Sequence, residues 1–128
     1  MNYILDTHTF IWILNTPEVL PVRIQSIVQD RFAVLMVSIA TPWEMAIKVA
    51  SGKLNAGNIL EDFEGAMARG RFVLLETTVR QAIFSGRLPL HHRDPFDRLL
   101  AAQALDLRVS LISRDKIFDL YGVQRIWE

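Results

Sequence analysis

Cysteine is absent from the 128 residues, which excludes disulfides, thiolate zinc sites and thiol nucleophiles together, and leaves the core to hold by packing alone. An excess of either charge is absent too. Fourteen Lys and Arg balance fourteen Asp and Glu, so no long-range positive field gathers polyanions, and any nucleic-acid contact has to come from a local patch or from bound cations. Long apolar runs are missing: none approaches the ~18–20 residues that span a bilayer, and an acid arrives at Asp6, too early for the apolar stretch of a signal peptide. The expectation is a soluble cytoplasmic protein that makes no use of a membrane. With no linker, repeat or low-complexity tract, and with 51% hydrophobic and 22% charged residues, residues 1–128 read as one ordinary globular domain.

Five short β-type runs recur along the chain, at 3–5, 33–37, 72–75, 109–112 and 123–127, with helical spacing between them. Trp43, Ala46, Ile47 and Ala50 recur at three and four residues ahead of Gly52, which suits the residue after a helix end. Ile59, Leu60, Phe63 and Met67 share one face before Gly70. A further helix is predicted from Pro95 through Phe96, Leu99, Leu100 and Ala104. Apolar strands alternating with helices long enough for crossovers predict a mainly parallel sheet covered on both faces, a three-layer α/β/α sandwich. In such sheets ligands sit beyond the carboxyl ends of the strands. The polar residues at those ends are therefore the ones to weigh.

Acids occupy them. Asp6 follows the first strand, Glu44 starts the helix after the second, Asp94 and Asp97 open the Pro95 helix, and Asp115 follows the fourth strand. Each has a modest alternative explanation: Asp6 as a helix N-cap, Asp94-Pro95-Phe96-Asp97 as a cap with Pro at N1, Thr41-Pro42-Trp43-Glu44 as a capping box, and Glu44 as an ion-pair partner of Lys48. Taken together they are harder to explain that way. Two carboxylates ~6 Å apart at an effective dielectric near 20 repel by roughly 3 kcal/mol, whereas a helix N-terminus returns only about 0.3–1 kcal/mol. Parallel strands bring these acids to one rim, so the cluster calls for a cation. Oxygen ligands without cysteine select a hard ion, Mg²⁺ or Mn²⁺ rather than Zn²⁺, which suits hydrolysis of a phosphodiester.

In this order the residues resemble the PIN-domain family, and within it the VapC-type toxins of bacterial toxin–antitoxin pairs. The resemblance covers nearly the whole chain. It rests on Ile4-Leu5-Asp6-Thr7-His8-Thr9-Phe10, on Pro42-Trp43-Glu44-Met45-Ala46-Ile47-Lys48 running to Gly52-Lys53-Leu54, on the block from Leu88 through Asp94-Pro95-Phe96-Asp97-Arg98 to Ala104, and on Ser113-Arg114-Asp115-Lys116-Ile117-Phe118. It implies that Asp6, Glu44, Asp97 and Asp115 are the catalytic, metal-holding acids, with Asp94 and Ser113 in support. It also implies a Mg²⁺-dependent endoribonuclease that leaves 5′-phosphate and 3′-hydroxyl ends, forms a homodimer, and is held inactive by a small antitoxin. Asp6 is the expected central ligand, because this fold puts the first strand mid-sheet. Pro42 departs from the usual pattern, but a first helical turn tolerates proline.

Arg87, His91, His92, Arg93 and Arg98 gather around the start of the Asp97 helix; Arg93, Arg98 and His92 are the candidates for holding substrate phosphates. Lys48 and Lys53 read as surface and cap charges. The pair His91-His92 also allows metal-free acid–base cleavage at an RNA 2′-hydroxyl, although adjacent side chains diverge. Trp12, Trp43 and Trp127 lie in apolar runs without a basic stripe, which favours core or subunit contacts over base stacking. Phe10, Ile11, Ile13 and Leu14 of the short first helix suit either a docking surface or a covered sheet face. Two rival functions stand beside the nuclease: an inactive binding module on the same scaffold, and a phosphatase using Asp6 as nucleophile, which His8 disfavours because a second Asp is expected there.

Overall fold

The computed structural model describes all of residues 1–128. Its order is β1 (Asn2–Leu5), α1 (Thr7–Asn15), a short turn of 3₁₀ helix at Pro17–Val19, α2 (Val22–Gln29), β2 (Val34–Ser38), α3 (Ala40–Ala50), α4 (Gly57–Leu60), α5 (Phe63–Arg69), β3 (Val73–Leu75), α6 (Val79–Arg87), α7 (Pro95–Leu107), β4 (Ser110–Ile112), a 3₁₀ helix at Lys116–Tyr121, and β5 (Arg125–Ile126). The five strands form one sheet in the order β3-β2-β1-β4-β5, and every pairing is parallel. The expected α/β/α sandwich is the observed architecture.

Strand alternation builds the two cores. Tyr3, Leu5, Leu35, Val37 and Ile112 face one side, where Phe10 and Ile11 of α1, Ile24 of α2, Met45 of α3, Ile59 of α4 and Ala66 and Met67 of α5 cover them. Ile4, Met36 and Leu111 face the other, against Leu100, Ala101 and Ala104 of α7, Phe118 and Val123. Each layer thus excludes water from both faces of β1. Phe10 and Ile11 are buried and Ile13 and Leu14 pack against the same core, so this side of α1 covers the sheet rather than offering a docking surface.

The chain steps from β1 to β2 to β3 on one side and then crosses to β4 on the other. β1 is therefore the switch point, where connections leave in opposite directions and a crevice opens at the carboxyl end. Register fixes what meets there. Leu5 pairs with Ile112, so the next residues, Asp6 and Ser113, emerge side by side.

Two helical expectations change. The segment with Ile59, Leu60, Phe63 and Met67 on one face is two helices, because Asp62 breaks it: its side chain accepts from the Gly65 amide at 3.1 Å and starts α5 anew. Gly52 ends its helix region at φ +75, as expected of a stop, but Gly70 does not; Arg71 takes the left-handed conformation instead. Gly70 is required for space, since an added Cβ would meet the Phe72 ring at 2.1 Å.

Candidate functional site

Asp6 leaves the middle strand and caps α1. Its Oδ1 accepts from the Thr9 amide at 2.9 Å, its Oδ2 accepts from the Ser113 hydroxyl, and only 8% of the residue is exposed. Burial raises its pKa, opposed in part by those hydrogen bonds from Ser113 and Thr9. Ser113 is fully buried and also accepts from the Asp115 amide at 3.0 Å, so one hydroxyl links the ends of β1 and β4.

Glu44 does not serve the capping box read from the sequence. α3 begins at Ala40, whose amide donates to Ser38 Oγ, and Glu44 lies in the second turn, 2% exposed. Thr7 donates to its Oε1, and Lys48 forms the expected ion pair with its Oε2. Lys48 then reaches across to Asp94 Oδ2 at 3.3 Å. Burial alone would lower the lysine pKa; pairing with Glu44 and Asp94 outweighs it and raises it. A residue read as a surface charge is a bridge between two site acids.

At the start of α7, Asp94 caps the helix by accepting from the Phe96 amide at 2.9 Å, with Pro95 at the first helical position as predicted. Asp97 stands one turn in. Its Oδ2 lies 2.9 Å from His92 Nε2, which lies 3.2 Å from Asp115 Oδ2. The Asp94 amide donates to His92 Nδ1 at 3.2 Å, so a neutral ring carries its proton on Nε2, facing the two acids. Asp115 caps the 3₁₀ helix by accepting from the Ile117 amide at 3.0 Å.

Asp97 gathers the cluster. Burial first, and then the negative charges of Asp94, Glu44, Asp6 and Asp115, push its pKa up to about 8. All five acids singled out in the sequence thus act on one place. One atom each from His92, Asp97 and Asp115 lie within 4.8 Å of one another. The donor set is rich in carboxylate oxygen, carries surplus negative charge and has no thiolate; it fits a hard divalent cation.

The basic candidates separate. Arg93 is exposed and has no ionic partner. His92 turns inward to the acids, whereas His91 is exposed and meets the Tyr121 ring edge-on, with centroids 5.1 Å apart. Arg98 overturns its expectation as a phosphate ligand. It is 8% exposed, and its guanidinium donates to the Ser85, Leu88 and Pro89 carbonyls at 2.8–2.9 Å, more distantly to Gly86, tying the end of α6 to α7. Buried charge must be satisfied, and these carbonyls occupy its donors.

Comparison with known proteins agrees with this architecture. The PIN domain family matches residues 3–123. Solved structures that align over nearly the whole chain include VapBC2 from Rickettsia felis bound to a DNA fragment from its promoter, at TM-score 0.70 and 15% identity, covering 100% of both chains. VapBC-1 from nontypeable Haemophilus influenzae aligns at TM-score 0.68 and 23% identity over 98% of this chain and 97% of that one. FitAcB from Neisseria gonorrhoeae aligns at 0.61 and 18% over 97% and 96%. A sequence search of curated proteins returns no match. With the family matched from β1 to Val123, two residues short of the last strand, and with the sheet order and acidic switch point in place, this chain belongs to the PIN domain family.

Proposed function

We propose that the chain is a Mg²⁺- or Mn²⁺-dependent endoribonuclease and the toxin of a toxin–antitoxin pair. The observation that carries this reading is the convergence of Asp6, Glu44, Asp94 and Asp115 on Asp97, with Asp6 and Glu44 buried, more negative charge than a partly buried crevice holds without a counter-ion. Asp6, Glu44, Asp97 and Asp115 hold the ion, with Asp94 and Ser113 in support. When bound, a divalent ion acidifies a coordinated water and draws charge from a phosphodiester, the chemistry that leaves 5′-phosphate and 3′-hydroxyl ends.

The chain's own groups do the positioning. Ser113 and the Thr9 amide fix both oxygens of Asp6, Thr7 and Lys48 fix both oxygens of Glu44, and His92 spaces Asp97 from Asp115. Metal-free cleavage by two histidines finds no support in this geometry, because His91 and His92 point to different surroundings.

The VapBC neighbours favour a small antitoxin as partner, covering the acidic crevice until it is removed. A homodimer fits the outer stripe of α3 and its N-cap, where Ile39, Trp43 and Ile47 are exposed at four-residue spacing. No helix is long and apolar enough to cross a membrane, in keeping with cytoplasmic action. The test is purified protein on total RNA with Mg²⁺ or EDTA beside Asp6→Asn and Asp97→Asn. Expected is cleavage that EDTA and both substitutions abolish; activity that survives EDTA, or undiminished cleavage by Asp6→Asn, overturns the reading.

A further inference from the structure

One flank of the acidic crevice opens into a cleft of about 460 Å³ lined by Asp6, His8, Trp12, Arg114, Asp115 and Lys116. Its two walls come from opposite ends of the chain. His8 and Trp12 are four residues apart on α1, one above the other on the same face, with ring centroids 5.8 Å apart. Arg114 and Lys116 stand on either side of Asp115 after β4. Both are exposed and neither forms an ion pair, whereas Lys48, Arg69, Arg80 and Arg125 are all paired with acids.

The aromatic wall continues beyond the cleft. Trp127 lies 5.7 Å from Trp12, and a second cleft of about 450 Å³ is bordered by Trp12, Trp127 and Arg114. A file of three rings therefore leads away from the acids, with unpaired cations alongside. Read linearly, the tryptophans have no basic stripe; the fold supplies one from a segment about a hundred residues away.

We infer that this cleft seats the single-stranded RNA next to the cut bond, one base stacked on Trp12 and the neighbouring phosphate held by Arg114 and Lys116. The inference deepens the ribonuclease reading and rests on it. A chain of zero net charge with a carboxylate cluster at its centre repels a polyanion, so affinity has to come from local cations and from contacts indifferent to charge. Stacking on an aromatic face is such a contact, and it accepts any base. It also selects for unpaired nucleotides, because a base within a duplex has no free face to offer. Trp12 suits the task by being half-buried, packed against the core and also bordering the cleft.

The experiment measures KM and kcat on a fluorogenic single-stranded RNA at saturating Mg²⁺, over a range of KCl, for wild type, Trp12→Leu, Trp12→Phe and the double variant Arg114→Ala/Lys116→Ala. The double variant Arg31→Ala/Arg71→Ala, ahead of β2 and β3 at the opposite end of the sheet, is the charge-matched control. Thermal denaturation confirms that each variant is folded. Trp12→Leu is expected to raise KM roughly 5- to 150-fold, the range for losing one stacked base, while Trp12→Phe retains most of the affinity. The Arg114→Ala/Lys116→Ala variant is expected to raise KM and to flatten the dependence of log affinity on log salt by about 0.7, for one phosphate of a single strand. If Trp12→Leu fails to fold, that double variant decides alone.

Unchanged KM and salt slope in the Arg114→Ala/Lys116→Ala variant, with wild type cleaving normally, overturn the cleft assignment and leave the nuclease standing. A wild type that cleaves no RNA removes both. If the substitutions weaken capture of the co-expressed antitoxin but leave KM untouched, the cleft belongs to a protein partner and the RNA assignment falls.

Discussion

Replacing Asp97 with Asn separates the charge of the site from its shape. In the unfolded chain this carboxyl titrates near 3.8; in the folded one burial and four neighbouring acids hold its proton to about 8. Between those values the folded state binds one proton more than the unfolded state, so stability falls as pH rises and levels off above about 8. From about pH 5 to pH 8 the full linkage is three units, roughly 4 kcal/mol at 1.36 kcal/mol per unit. Relaxation of the neighbouring groups and water in a crevice where the side chain is 19% exposed reduce this by about half, to ~2 kcal/mol. At about 2.1 cal/mol/K per residue, a chain of 128 residues has an unfolding entropy near 0.27 kcal/mol/K, so the melting temperature should drop by about 7 °C over that range. Asp97→Asn removes this slope and is more stable than wild type at about pH 8.5 without metal. Mg²⁺ should reverse the order, because it binds the ionised carboxylate: it raises the wild-type melting temperature more at about pH 8.5 than at about pH 5, and that of the variant least. Calorimetry of both proteins at the two pH values, with EDTA or Mg²⁺, reads all four terms. An Asn variant with the wild-type pH slope, or a wild type indifferent to Mg²⁺ at about pH 8.5, refutes the argument.

Arg98→Met should destabilise the fold by roughly 3 kcal/mol in urea denaturation, since charged hydrogen bonds are worth about 1.5–3 kcal/mol and several carbonyls lose their donor together. Its Mg²⁺ affinity in isothermal titration should change much less than its stability; equal losses in both would return the guanidinium to the site. Ser113→Ala leaves the Oδ2 of a buried Asp6 without its partner, at a cost of about 1–3 kcal/mol. The same change should weaken Mg²⁺ binding in that titration, and unchanged affinity would make Ser113 purely structural.

Strand positions were legible because each strand is short, apolar and bounded by polar residues, and the acids were legible because they stand immediately past those strands. Sheet order was not legible from periodicity; only the family resemblance put the first strand mid-sheet and Ser113 in support of Asp6, 107 residues away in sequence. The Lys48–Glu44 pair was readable at i,i+4 spacing, but the reach of Lys48 to Asp94 and of His92 to Asp115 depends on acids from other elements. Glu44 misled because Thr41-x-x-Glu44 has capping-box spacing, yet the helix starts two residues earlier than that box implies, with Ile39 at the cap and Ser38 Oγ accepting from the first helical amide. α6 went unnoticed although Thr78-x-x-Gln81 is a capping box that the structure uses fully. Arg98 carried a readable sign as well: it falls in a helical stripe with buried Ala101 and Ala102, and a cation in such a stripe must find carbonyls.

Capping leaves these acids free for the metal binding proposed for them. Asp6, Asp94 and Asp115 each give one oxygen to the first turn of a helix and turn the other toward the centre, onto Ser113, Lys48 and His92 respectively. A cap is worth about 1 kcal/mol, less than the roughly 3 kcal/mol by which a second carboxylate ~6 Å away repels it. Caps therefore fix where the acids stand without neutralising them. In the metal-free chain the remaining charge is met in three ways: by Lys48 between Glu44 and Asp94, by His92 between Asp97 and Asp115, and by a proton retained on Asp97. The first two are built into the fold and keep the crevice assembled. If the acids hold a divalent ion as proposed, the proton on Asp97 is the charge that it would displace, and Mg²⁺ binding below about pH 8 is expected to release a proton.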